Sequence, residues 1–102
     1  MPLEFIAQSI VVLIGQELIR IPAQVCGDFA MHPAYRGPGM TVTHVPTGRY
    51  LCRDVPAETA EACIARALTI GDVQWHRSDV AYFADPKQRI KTAILTRYRQ
   101  RQ

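Results

Sequence analysis

"MTVTHVPTGRYLCRD", residues 40–54, reads as a strand, a tight turn and a strand. "V-P-T-G-R" puts Pro46 at the second turn position and Gly48 where a left-handed residue is needed, which suits a three-residue hairpin loop. Pairing outward from that loop sets Val45 opposite Arg49, His44 opposite Tyr50, Thr43 opposite Leu51, Val42 opposite Cys52 and Thr41 opposite Arg53. Alternation then separates a core face (Met40, Val42, His44, Tyr50, Cys52) from a solvent face (Thr41, Thr43, Val45, Arg49, Leu51, Arg53).

That arrangement brings a histidine and a cysteine together on the inner face. A Cys52 nucleophile with a His44 base would be one use of the pair, giving a small Cys/His enzyme. Such chemistry needs a thiol with a lowered pKa and open access, and mid-strand on an apolar face offers neither. The preferred reading is structural, and no catalytic residue is assigned. A metal site would have to recruit Cys26, His32, Cys63 or His76, which lie scattered without the closely spaced ligand pair that structural zinc sites show. No metal and no cofactor is expected. Asp28 with His32 and Asp72 with His76 are read as solvated polar positions, and no phosphate loop, dinucleotide fingerprint or nucleophile elbow occurs.

Outward from the hairpin, residues 3–20 fit a helix, with Leu3, Ile6, Ala7, Ile10, Leu13, Ile14, Leu18 and Ile21 at the spacing of one helical face and Pro22 as the stop. Phe5, Val11, Val12 and Ile19 lie off that stripe, so this expected helix is apolar around much of its girth and is either central or shared with a second copy. Its unbroken apolar core, Ile10 to Ile14, is far short of the roughly 18 residues that suggest a membrane span. Residues 24–32 suit a short strand bent at Gly27, and "PAYRGPG" a loop. Asp54 and Pro56 open a middle helix running to about Leu68, with Ala60, Cys63, Ile64, Ala67 and Leu68 inward and Gly71 as C-terminal cap. Residues 72–84 allow a strand around Val73–His76 and a short helix from Ser78. Asp85, Pro86 and Gln88 form the start of a last helix with Ile90, Ile94 and Tyr98 as its inner stripe. The expectation is one α+β domain over residues 1–102: a small antiparallel sheet of about three strands packed with an N-terminal apolar helix, a middle helix and a basic C-terminal helix.

Composition is that of a globular chain, 48% apolar and 21% charged. The cysteine count is three, which excludes a complete set of internal disulfides, and no basic residue or cleavage site marks a leader, so reduced thiols and a cytoplasmic location are expected. The net charge of +3 is unevenly spread. Residues 1–85 carry six basic and nine acidic residues, whereas residues 86–102 carry six basic residues and no acid. An acidic partner is therefore sought at Lys87, Lys91, Arg97, Arg99 and Arg101, extended by Arg49 and Arg53 on the hairpin. Arginine forks suit phosphates, so the function expected is a non-enzymatic binding or regulatory protein meeting nucleic acid or a nucleoprotein complex. Tyr35, Trp75 and Tyr82 are too dispersed in the chain to promise a base-stacking platform. The alternative is a protein–protein adaptor or inhibitor of the mobile-element accessory type, homodimeric through residues 3–21.

Overall fold

The computed structural model describes residues 3–91, which form an α+β fold built on one antiparallel sheet. The five strands are β1 (Ile6–Ile14), β2 (Glu17–Cys26), β3 (Phe29–Pro33), β4 (Met40–His44) and β5 (Arg49–Val55), and they lie side by side in chain order. Helix α1 (Ala57–Leu68) follows, then the single turn α2 (Val80–Phe83), and residues 86–91 are helical. The expected positions Ile94, Tyr98, Arg97, Arg99 and Arg101 lie outside the described residues.

The N-terminal segment is a hairpin and not a helix. β1 and β2 pair from Ile6↔Val25 to Ile14↔Glu17 across the two-residue turn Gly15-Gln16. The misleading feature is the continuous apolar run Ile10–Ile14, which satisfies a helical stripe and a strand alike. β-branched residues at 6, 10, 11, 12, 14, 19, 21 and 25 fit a pleated surface better than a helix, where their χ1 freedom is lost. Pro22 does not stop an element; it sits inside β2 opposite Ser9. The β2–β3 ladder ends at Gln24↔Met31, and continuing its register would set Pro22 against Pro33, neither of which has an N–H to give. The far half of the β1–β2 hairpin is thereby released from β3 and curls over one face of the sheet. The Leu13 amide donates to the Gly48 carbonyl in the β4–β5 turn (2.9 Å). Gly48 has φ 73°, and a Cβ there would stand 3.2 Å from the Val11 carbonyl oxygen, so the contact requires glycine.

Residues 24–32 likewise form parts of two strands, the end of β2 and most of β3, hinged at Gly27-Asp28. In α1, Thr59, Ala60, Cys63, Ile64 and Ala67 are buried, while Leu68 is exposed. The helix ends at Thr69, whose hydroxyl donates to the Arg66 carbonyl (2.7 Å), so Gly71 is not its cap. At the other end Asp54 does not cap it either, as described below. Residues 73–76 form no strand, and Ile90 is exposed rather than inward.

Curling gives the sheet two unlike faces. On the outer one, Phe29, Met31, Val42, Cys52 and Val55 pack under α1 with Trp75. On the inner one, Ile10, Val12, Ala23 and Ala30 form a second core inside the curl, joined by Ile19, Ile21 and Val25. No helix among the described residues is long and apolar enough to cross a membrane.

Candidate functional site

The β4–β5 hairpin is where the two faces come within reach of the same side chains. It is a hairpin as expected, but its loop is four residues and its register differs near the turn. His44 faces Arg49 and Thr43 faces Tyr50; the expected Val42↔Cys52 pair is present, and Met40 faces Val55. Two irregularities follow, one between the Thr43 and Val42 pairs and one between the Val42 and Met40 pairs. Each extra residue on β5 shifts the alternation of side chains. Tyr50, expected in the core with Cys52, instead shares the inner face with Thr43 and is 52% exposed. Thr41 and Thr43, expected in solvent, are buried beneath the curl. Arg53 is carried to that same inner side.

The result is a cleft of about 660 Å³ on the inner face. Its floor holds His32, Thr41 and Thr43; its rim holds Tyr35, Arg36, Tyr50 and Arg53. The floor is fully bonded at the imidazole: His32 Nδ1 donates to the Pro33 carbonyl (3.0 Å) and Nε2 accepts from the Thr43 hydroxyl (2.7 Å). Burial lowers the pKa of His32, and the Pro33 carbonyl only partly opposes it, so the ring is neutral at pH 7. On the rim each arginine lies by a tyrosine ring, Arg36 at 5.9 Å from the centroid of Tyr35 and Arg53 at 5.2 Å from that of Tyr50. The two tyrosine–arginine pairs come from segments far apart in the chain, and Asp54 joins them. It sits at φ 55°, a left-handed conformation that aspartate tolerates better than most residues, and its Oδ1 accepts from the Gly39 amide (2.9 Å). That bond, with Ala34 N–H donating to the Gly39 carbonyl (2.9 Å), holds loop 34–39 against the end of β5.

A second cleft, about 520 Å³, opens between the β4–β5 turn and α2. Its wall is aromatic and apolar (Leu51, Trp75, Val80, Phe83), and Arg49 and Arg89 flank it. His44 forms its base: Nε2 donates to the Trp75 carbonyl (2.5 Å), which leaves Nδ1 to accept from the Thr47 hydroxyl (2.8 Å). Desolvation lowers the pKa of His44 against the raising effects of the Trp75 carbonyl and of Asp28, so it too is neutral. The ring lies among Phe29, Trp75 and Phe83, with centroids 4.8–5.9 Å away. Tyr82 reinforces this segment, accepting from the Gln74 amide (2.8 Å) and lying under Arg77, which also forms a two-pronged pair with Asp79 (2.8 Å each). Trp75 and Tyr82 are thus part of the packing of residues 72–84 and not a surface platform. Tyr50 lines both clefts.

The expected site residues separate. Arg53 belongs to the first cleft and Arg49 to the second. Lys91 is paired with Asp72, whose carboxyl it holds below the usual range. Lys87 is exposed at the start of the last helical stretch, where its amide donates to Asp85 Oδ1 (2.9 Å). Tyr35, Arg36, Tyr50 and Arg89 were not assigned from sequence. The adjacent Tyr35-Arg36 in a Pro/Gly loop was the available signal; Tyr50 was hidden by the bulge. Among the described residues no group of three His, Cys, Asp or Glu side chains converges to hold a metal ion. His44 and Cys52 do share the outer face, but Cys52 is closed to solvent and both nitrogens of His44 are engaged. No family model, curated protein or solved structure matches this chain.

Proposed function

We propose that this chain is a non-enzymatic binding protein that contacts nucleic acid, alone or within a nucleoprotein complex, through the arginine–tyrosine strip along β5. The observation that carries this reading is the grouping of Arg36 and Arg53 on one side of Tyr50 and of Arg49 and Arg89 on the other. Four guanidinium groups bordering adjacent concavities concentrate positive potential where a phosphate chain can lie, and each can bind a phosphate bidentately. Only Asp54 among the residues lining the two clefts is acidic, and its carboxylate is engaged by Gly39. The basic sequence from Lys87 onward adds to the same charge.

A gel shift with a salt titration tests the reading. Binding is expected at low salt, with log affinity falling linearly in log salt concentration as counterions are displaced. The double variant Arg49→Ala/Arg53→Ala should flatten that slope by about two contacts. Absence of binding at low salt overturns it.

The second reading, a protein–protein adaptor that self-associates through residues 3–21, is favoured by one feature. Val11 and Leu18, on one face of the β1–β2 hairpin, are exposed at 37% and 72%, an apolar surface on a strand pair at the sheet edge. Light scattering tests it: a strict monomer at high concentration removes this reading.

A further inference from the structure

We infer that the partner is a single strand of nucleic acid, with unstacked bases seated against Tyr50 and Tyr35 and the phosphates between them met by Arg36, Arg53, Arg49 and Arg89. The inference rests on the nucleic-acid reading above and narrows it from charge to form.

The first ground is shape. Base-pair edges in a duplex are read by elements that project into a groove, a helix or a two-stranded ribbon. Here the arginines border recesses of about 660 and 520 Å³ on either side of a tyrosine. A rigid duplex meets only the rims of such recesses. A splayed base enters them, and a volume of several hundred Å³ is the usual scale for a seated small group.

The second ground is the exposure of the rings. Tyr35 and Tyr50 are 68% and 52% exposed, although the chain buries Trp75 and packs Tyr82 and Phe83 into its core. Each exposed ring is accompanied by an arginine from its own element, next in sequence for Tyr35 and three residues on for Tyr50. An aromatic face beside a cation is the pairing that single-strand binders use, because every base has a π-face and every nucleotide a phosphate. A partner made of carboxylates alone would engage the arginines and leave the exposed surface of both rings unused.

The third ground is positioning. Asp54 adopts a left-handed conformation and ties loop 34–39 to β5 through Gly39, which brings Tyr35 and Arg36 to the cleft that Tyr50 and Arg53 border. The floor between them is polar but already satisfied, with Thr43 bonded to His32. It offers surface without demanding a particular base, which suits binding that is tolerant of sequence.

Fluorescence anisotropy with labelled oligothymidylate and oligouridylate of about 12 nucleotides, and with a duplex of the same length, tests the inference. The full chain is used at about 50 mM salt. Both single strands are expected to bind at least tenfold more tightly than the duplex. Tyr50→Leu should weaken single-strand binding about 5- to 100-fold with an unchanged salt slope, while Tyr50→Phe keeps it. Thermal melts confirm that Tyr50→Leu folds, as its exposure implies. Equal affinity for duplex and single strands, or an unaltered affinity in Tyr50→Leu, overturns the inference while the nucleic-acid reading stands. Failure of every nucleic acid to bind, with poly-glutamate bound instead, overturns both and assigns the arginines to an acidic polypeptide.

Discussion

The two faces of the sheet are made from the same strands but obey different rules. On the outer face, β4 contributes Met40, Val42 and His44 to a core closed by α1 and residues 72–84. On the inner face, the same strand contributes Thr41 and Thr43 to a cleft floor that the curled β1–β2 hairpin only partly covers. Each face has one buried histidine with both nitrogens bonded. His44 ties Trp75 to the sheet and so closes a face; His32 bonds within the sheet and leaves its face open. Apolar surface closed against a helix makes stability, and polar surface left in a concavity makes a place to bind.

The comparison predicts that damage will sort by face. Phe29→Ala should have the largest effect. The ring is fully buried and meets both His44 and Trp75, so its loss should cost about 3–5 kcal/mol in chemical denaturation. A cost below about 1 kcal/mol would mean that the outer face is not the main core.

Gly39→Ala should come next. A Cβ there would stand 2.8 Å from backbone atoms of Asp54 and Val55, which cannot move aside as a flexible side chain would. Destabilisation of about 1–3 kcal/mol is expected. Because loop 34–39 carries Tyr35 and Arg36, the proposed nucleic-acid binding should weaken as well, linking the two measurements at this one position.

Acid should act on both faces. Burial holds both histidines below their ordinary value of about 6.5. The unfolded chain therefore binds more protons than the folded one as pH falls below that value. Stability present at pH 7 is lost through the slightly acidic range, by at most about 1.4 kcal/mol per pH unit for each histidine. Urea midpoints measured from pH 7.5 to pH 5 check this. A midpoint that does not move would show that both imidazoles charge without penalty and that neither face is closed around them.

The smallest stability effects belong to the strip itself. Arg49→Ala and Arg53→Ala replace exposed side chains and should change stability by no more than about 0.5 kcal/mol. If either cost more than about 1 kcal/mol, the strip would be part of the packing and the distinction between the faces would weaken.

Much of this chain is legible along its length and little of it across. The middle helix is readable because Ala60, Cys63, Ile64 and Ala67 recur at helical spacing in an alanine-rich segment. The hairpin at 40–54 is readable because Pro46 and Gly48 leave few turn geometries open, and Val42↔Cys52 is paired as its alternation requires. The N-terminal hairpin is masked by its own apolarity, since a run that is hydrophobic at nearly every position carries no period. The bulges on β5 leave no mark that alternation can detect, yet they decide which face receives Tyr50 and Arg53.

By itself, the sequence determined an α+β chain with a central hairpin, a small-faced helix after it and a surplus of positive charge beginning at residue 86. Those properties depend on local turn chemistry, spacing and composition. Tertiary structure decided that residues 6–14 and 17–25 pair as strands, that the sheet curls, and that Tyr35-Arg36 meets Tyr50 and Arg53 across the end of β5. These depend on backbone partners distant in the chain and on one-residue changes in register, and neither is encoded in any short stretch.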